Sequence, residues 1–142
     1  MKVFFYVPKF FEKLNECVGT MSYSKISKHT GYSPVTISNI LKGKHEPRLE
    51  TAFCICEFLG VSLDGLLNHA GCRYYCEDTL PCERFKKVRE IKKISIDKLS
   101  KKTGVACETI WRFEKNQNDM KLFNALKLAV ALDFSLDWLC GR

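Results

Sequence analysis

The chain has 142 residues, 46% of them hydrophobic and 27% charged, the balance of a globular protein of one domain or two small ones rather than a disordered chain. It holds 23 Lys and Arg against 16 Asp and Glu, a net charge of +7, which favours a polyanionic partner, nucleic acid first. No apolar run reaches the length of a transmembrane helix, which excludes a helical membrane span.

The chain opens with MKVFFYVP, residues 1–8. This stretch is too short for the apolar core of a signal peptide, Pro8 ends it, and no small-residue cleavage site follows, so the expected location is the cytoplasm. Its apolar character suits an arm that packs on the second half of the chain or on another protein. The eight Cys read, in a reducing compartment, as buried thiols or metal ligands rather than disulfides.

Phe11, Leu14 and Val18 mark a first helix. Ser22 is an N-cap for a second, which carries Ile26 and stops near Gly31. Ser33 caps a third, with Pro34 at its first position, where a missing N–H costs nothing. Ile37, Ile40 and Leu41 supply its buried stripe, and Gly43 follows as a left-handed stop. After Pro47, the residues Leu49, Ala52, Phe53, Cys56 and Leu59 recur at helical spacing. Gly60 ends that fourth helix, and Ser62 caps a short fifth one holding Leu63, Leu66 and Leu67. No segment reads as a strand.

The pattern then repeats. Shifted by 73 residues, Met21–Leu67 lies over Ile94–Cys140 without a gap, and sixteen of the 47 positions are identical, where chance would give roughly three. Ser22/Ser95, Thr30/Thr103, Gly31/Gly104, Thr36/Thr109, Lys42/Lys115 and Ser62-Leu63-Asp64/Ser135-Leu136-Asp137 are among the matches. The second set of helices is marked by Phe85, Val88 and Ile91, then Leu99, then Ile110 and Phe113. Leu122, Ala125, Leu126, Ala129 and Leu132 mark the fourth helix, and Leu136 and Leu139 the fifth. The expectation is an all-α chain of two tandem five-helix domains. The first covers 1–71, including the arm 1–8; 72–82 is a linker; and 83–142 is the second domain.

In each copy a tight Gly-containing turn joins the second and third helices, His29-Thr30-Gly31-Tyr32-Ser33 and Lys102-Thr103-Gly104-Val105-Ala106. Two short helices so joined form a helix-turn-helix. Ser22–Leu67, with helix-turn-Gly-helix followed by KGKxxPxLxT and LGVSLD, resembles the lambda-repressor-like (Cro/cI, Xre) helix-turn-helix family, and Ser95–Leu139 resembles it again. The resemblance implies that the third helix of a copy enters the DNA major groove. It then implies base-reading positions at Pro34, Val35, Thr36, Ser38 and Asn39, of which Asn39 suits bidentate pairing with adenine. Lys42, Lys44 and Arg48, with Ser22 and Tyr23 at the start of the second helix, fall where the family contacts phosphate. In the second copy Glu108, Thr109 and Arg112 match base-reading positions, and Ser95 and Lys115 match phosphate positions.

The second copy departs from the pattern. Ala106 is a poor N-cap, Glu108 repels phosphate unless it accepts from cytosine, and Trp111 stands on the face that should be exposed. Two readings stay open: a second, different half-site, or a copy kept for protein contact with Trp111 in the contact patch. Residues 1–71 hold 8 basic and 6 acidic residues, whereas residues 81–142 hold 14 and 8. Electrostatic attraction is therefore expected mainly from the second copy, through Arg89, Lys92, Lys93, Lys98, Lys101, Lys102 and Lys115. Stretched, the 16 residues 68–83, which lie outside the resemblance, would span about 50 Å, enough for adjacent half-sites roughly 34 Å apart.

His69, Cys72, Cys76 and Cys82 lie within 14 residues. They are a weak zinc pattern, because their spacing is not that of paired Cys-x2-Cys ligands. Asp64 and Asp137 fall in the first turn of a helix, where an acid favours the helix's own dipole. No spacing places a nucleophile with a base, so no enzyme, cofactor or resident metal is expected. The function expected is a sequence-specific transcriptional regulator of bacterial or phage type, a repressor, bound to double-stranded DNA and nucleoid-associated when bound. A homodimer or protein partner would act through the arm or the second domain. The alternative is a protein-interaction or antitoxin-like module whose second domain no longer reads DNA.

Overall fold

A computed structural model describes residues 7–75 and 79–141. Two units of five helices follow one another. The first has α1 (Val7–Val18), α2 (Tyr23–Thr30), α3 (Pro34–Leu41), α4 (Leu49–Leu59) and α5 (Leu63–Leu66). The second has α6 (Pro81–Ile91), α7 (Ile96–Thr103), α8 (Cys107–Glu114), α9 (Leu122–Leu132) and α10 (Leu136–Leu139). There is no strand among the described residues, only two isolated bridges.

Local chemistry sets most of the ends. The Oγ atoms of Ser22, Ser33, Ser62, Ser95 and Ser135 each accept a backbone N–H of the helix they precede, satisfying donors that a helix start leaves orphaned. Gly31 and Gly104 close α2 and α7 with φ of 83° and 80°, a left-handed turn costly for any residue with a Cβ. The core is continuous. Phe10, Leu14, Ile26, Ile37, Leu49, Ile55 and Leu63 on one side are fully buried, as are Phe85, Leu99, Ile110, Leu122, Phe134 and Leu136 on the other. Burial of each such side chain contributes about 1.5–3 kcal/mol.

Three expectations need correction. Pro8 does not end a segment: it lies in the first turn of α1, where its missing N–H would have no helical partner. Helix one buries Phe10 rather than Phe11, which is half-buried, and Ile91 at the end of α6 is 52% exposed. The arm, apart from the turn that begins α1, lies outside the described residues.

The two units meet across a seam of reciprocal helix caps. Asp137 accepts from Leu63 N (3.1 Å), Asp64 N (3.0 Å) and Ser62 Oγ (2.7 Å). Asp64 accepts from Leu136 N (2.8 Å), Asp137 N (3.3 Å) and Ser135 Oγ. Each Asp thus serves the N-terminus of the other copy's last helix, not only its own as the spacing suggested. The same exchange recurs one helix earlier: Leu49 N donates to Met120 O (2.9 Å) and Leu122 N to Pro47 O (3.0 Å). Asp119 accepts from Glu50 N at 3.1 Å, and its counterpart Glu46 faces the backbone N–H of Phe123. The residues before α4 and α9, Arg48 and Lys121, provide no side-chain cap of their own; the opposite copy supplies it. Swapping the copies maps each of these contacts onto another, the signature of an isologous two-fold interface within one chain.

Burial pushes the Asp64 carboxyl above the usual carboxylate range, and the charge of Asp137 adds to it, beyond what the bonds from Ser135 and Leu136 offset. Asp137 carries the same burial penalty, but the bonds from Asp64, Ser62 and Leu63 outweigh it and hold that carboxyl low. Two carboxylates this close cannot ionise equally easily.

The connection between the copies is docked, not free to extend. Ser135 N donates to Cys72 O at 2.9 Å, Tyr74 OH to Asp133 O at 2.9 Å, and His69 Nε2 lies 2.8 Å from Phe134 O. Gly71 is pressed so closely on the Phe134–Ser135 peptide that a Cβ would overlap it. The expectation of a tether reaching about 50 Å is therefore overturned for residues 68–75: Asn68 and His69 bond back to the first copy, and His69, Cys72, Tyr74 and Tyr75 already bond to the second.

Candidate nucleic-acid interface

In the first copy α2 packs on α3 and on α4, and α3 packs on α1 as well, with Ile26, Ile37 and Ile40 turned inward. The opposite face of α3 is left outward. Pro34 is exposed and Val35 is 68% exposed, while Ser38 and Asn39 are half-exposed. The Asn39 carboxamide has no hydrogen-bond partner among the described residues. Thr36 is less available, because Ser33 Oγ lies 2.9 Å from its Oγ1 and accepts its N–H.

Around that face, Lys42 and Lys44 are exposed, and Ser22 and Tyr23 mark the start of α2, Ser22 as its N-cap. Arg48 is exposed, and its Nη1 donates to Asp119 O of the other copy at 3.2 Å. The guanidinium is part of the seam. Zinc chemistry finds no support in the placement of its candidate ligands. His69 faces the Phe134 carbonyl, Cys72 donates to Asp133, Cys82 is buried in the core, and Cys76 lies outside the described residues. No group of three potential ligands converges among the described residues.

The second copy presents a different face. Ala106 provides no cap for α8. Glu108 and Arg112, one turn apart, form an ion pair at 2.6 Å with both side chains exposed, so each charged candidate reader is partly offset by the other although the pair can exchange. This i,i+4 spacing was present in the sequence and is the signal that treating the two residues separately missed. Trp111 is 45% exposed, with Lys115 Nζ 5.9 Å from its ring centroid, a cation–π arrangement. Thr109 is half-buried, and Ser95 caps α7.

Not all the positive charge assigned to this copy is available. Arg89 grips Glu114 through Nε and Nη2 at 2.9–3.2 Å and donates from Nη1 to Ile94 O. That removes it from the phosphate-binding set. Lys101 pairs with Asp97 at 3.2 Å, but both are exposed, and such a pair is easily exchanged. Lys93, Lys98 and Lys102 remain exposed. Glu108→Gln removes a negative charge and unties Arg112, so affinity for random-sequence duplex is expected to rise about threefold to tenfold at low salt, with a steeper salt dependence. Fluorescence anisotropy at two salt concentrations checks this.

A family model described as helix-turn-helix matches residues 19–66 and, a second time, residues 85–139. No curated protein and no solved structure matches the chain. No described helix is long and apolar enough to cross a membrane.

Proposed function

Because the chain belongs to the lambda-repressor-like (Xre) helix-turn-helix family of DNA-binding regulators, in two tandem copies, we propose that it is a sequence-specific transcriptional repressor whose α3 and α8 address two half-sites of one duplex. The observation that carries this reading is the reciprocal seam. It holds the two helix-turn-helix units as a dimer would hold them, so both helices meet DNA as one body. Asn39 reads a base in the first half-site, with Val35 and Ser38 beside it. Pro34 and Thr36 shape the helix start. Lys42, Lys44, Ser22 and Tyr23 hold phosphates there, and Ser95 and Lys115 do so in the second half-site. Glu108, Thr109 and Arg112 read the second half-site less stringently, since the first and last are paired. Repression follows from occupancy, in the cytoplasm, where the protein bound at its operator blocks polymerase.

Selection of bound duplexes from a random pool tests this. The expected product is an imperfect inverted repeat of two unequal half-sites. Asn39→Ala is expected to lose about 1–3 kcal/mol of affinity and the information at one position. Arg112→Ala should relax one position in the other half-site by less. Absence of any enriched motif at moderate salt would sink the proposal.

A second reading is favoured by the exposed Trp111 beside the uncapped start of α8: this face contacts a protein partner. In that case Trp111→Ala disrupts a complex and leaves DNA affinity unchanged.

A further inference from the structure

The two-fold relation between the copies is broken where α1 meets α9. On one side of the seam Phe123 of α9 meets Phe10 and Phe11 of α1 edge to face, with centroid separations of 6.2 and 6.3 Å, and those two rings meet each other at 5.3 Å. Three aromatic rings close that side. The position equivalent to Phe123 in the first copy, 73 residues earlier, is Glu50. There the space is open. A cleft of about 450 Å³ separates Leu49, Phe53 and Cys54 of the first copy from Cys82, Phe113 and Cys140 of the second, within the size range of small-molecule sites.

The lining of this cleft carries two carboxylates, Glu50 and Asp119, and no basic side chain. The Asp119 carboxylate accepts the N–H groups of Glu50 and Met120. The Glu50 carboxylate makes no ion pair or hydrogen bond among the described residues. Burial first, and then the charge of Glu50, push the Cys54 thiol up, and Asp119 adds to it, as a negative potential inside the cleft requires.

We propose that the cleft is a binding site for a small arylalkylamine. Its ring would take the place that an aromatic side chain fills on the opposite side of the seam, and its ammonium group would pair with Glu50. The walls belong to both copies, so the ligand bridges the units that carry α3 and α8. Recognition at the cleft is independent of what those helices contact.

The test uses the whole chain and 2-phenylethylamine as probe. Iodoacetamide modification of Cys54, followed by peptide mass spectrometry, should slow saturably, by about fivefold at four times the dissociation constant, which is expected to be roughly millimolar for so small a ligand. Cys17 and Cys107, exposed elsewhere, should keep their rates. Glu50→Gln should weaken binding about tenfold, and Cys54→Phe, which fills the cleft, should abolish the calorimetric signal. No saturable protection of Cys54, or protection equally strong with 3-phenylpropionate, would overturn the assignment.

Discussion

Asp137→Ala is expected to destabilise the chain by about 2–4 kcal/mol, a large share of a typical total of 5–15 kcal/mol. The substitution leaves Leu63 N, Asp64 N and the Ser62 hydroxyl without their acceptor, and the two amides are buried. Each orphaned donor costs about 1–3 kcal/mol. Relief of the repulsion between Asp137 and Asp64 offsets part of that sum. The result should appear in a urea titration as a lower midpoint. Asp64→Ala should do the same from the other side. The double variant should lose clearly less than the two single losses added, because once one cap is gone the seam loosens and the second carboxylate has less to hold. Strict additivity would mean that the two caps act separately.

Gly71→Ala should cost about 3 kcal/mol, for a reason unconnected with glycine's conformational freedom. The added methyl would overlap the Phe134–Ser135 peptide, and the backbone on either side must move to admit it. That motion pulls on the bond from Ser135 N to Cys72 O and on Ser135, whose hydroxyl donates to Asp64. For a chain of this length the loss corresponds to a fall in melting temperature of roughly 6–12 °C. An unchanged melting temperature would show that residues 68–75 are a loose tether after all.

Much of this architecture is written in local chemistry. Ser22, Ser33 and Ser62 announce helix starts, Gly31 and Gly60 announce stops, and the 73-residue repeat transfers each inference to the second copy. The periodic stripes name most of the core, missing where a helix end turns outward, as at Ile91. The seam is another matter. Asp64 sits where an acid would favour its own helix, and spacing along a chain cannot say whose N–H groups a carboxylate receives. A trace of the answer lay in what was missing. Arg48 and Lys121 are poor N-cap residues at the heads of α4 and α9, and a helix start with no cap of its own needs one from elsewhere. The docking of residues 68–75 left no such trace, because a glycine in a connecting segment has many explanations. On α3 Asn39 is half-exposed on the outward side, a position helical periodicity gives, whereas the Glu108–Arg112 pair and the Arg89–Glu114 pair show how charges counted singly overstate what a surface offers.

The reciprocal caps also impose an order on synthesis. The heads of α4 and α5 depend on residues 119–137, which leave the ribosome some 73 residues later, a delay of about 4–15 s at ordinary elongation rates. During that interval the first copy carries N–H groups with no acceptor but water, and the side of α4 that will face its sister stands open. Its helices can form and collapse, yet it cannot complete itself. The nascent first half is thus the stage most exposed to capture by chaperones or by a neighbouring nascent chain, whose own first half offers Glu46 and Asp64 at the positions equivalent to Asp119 and Asp137.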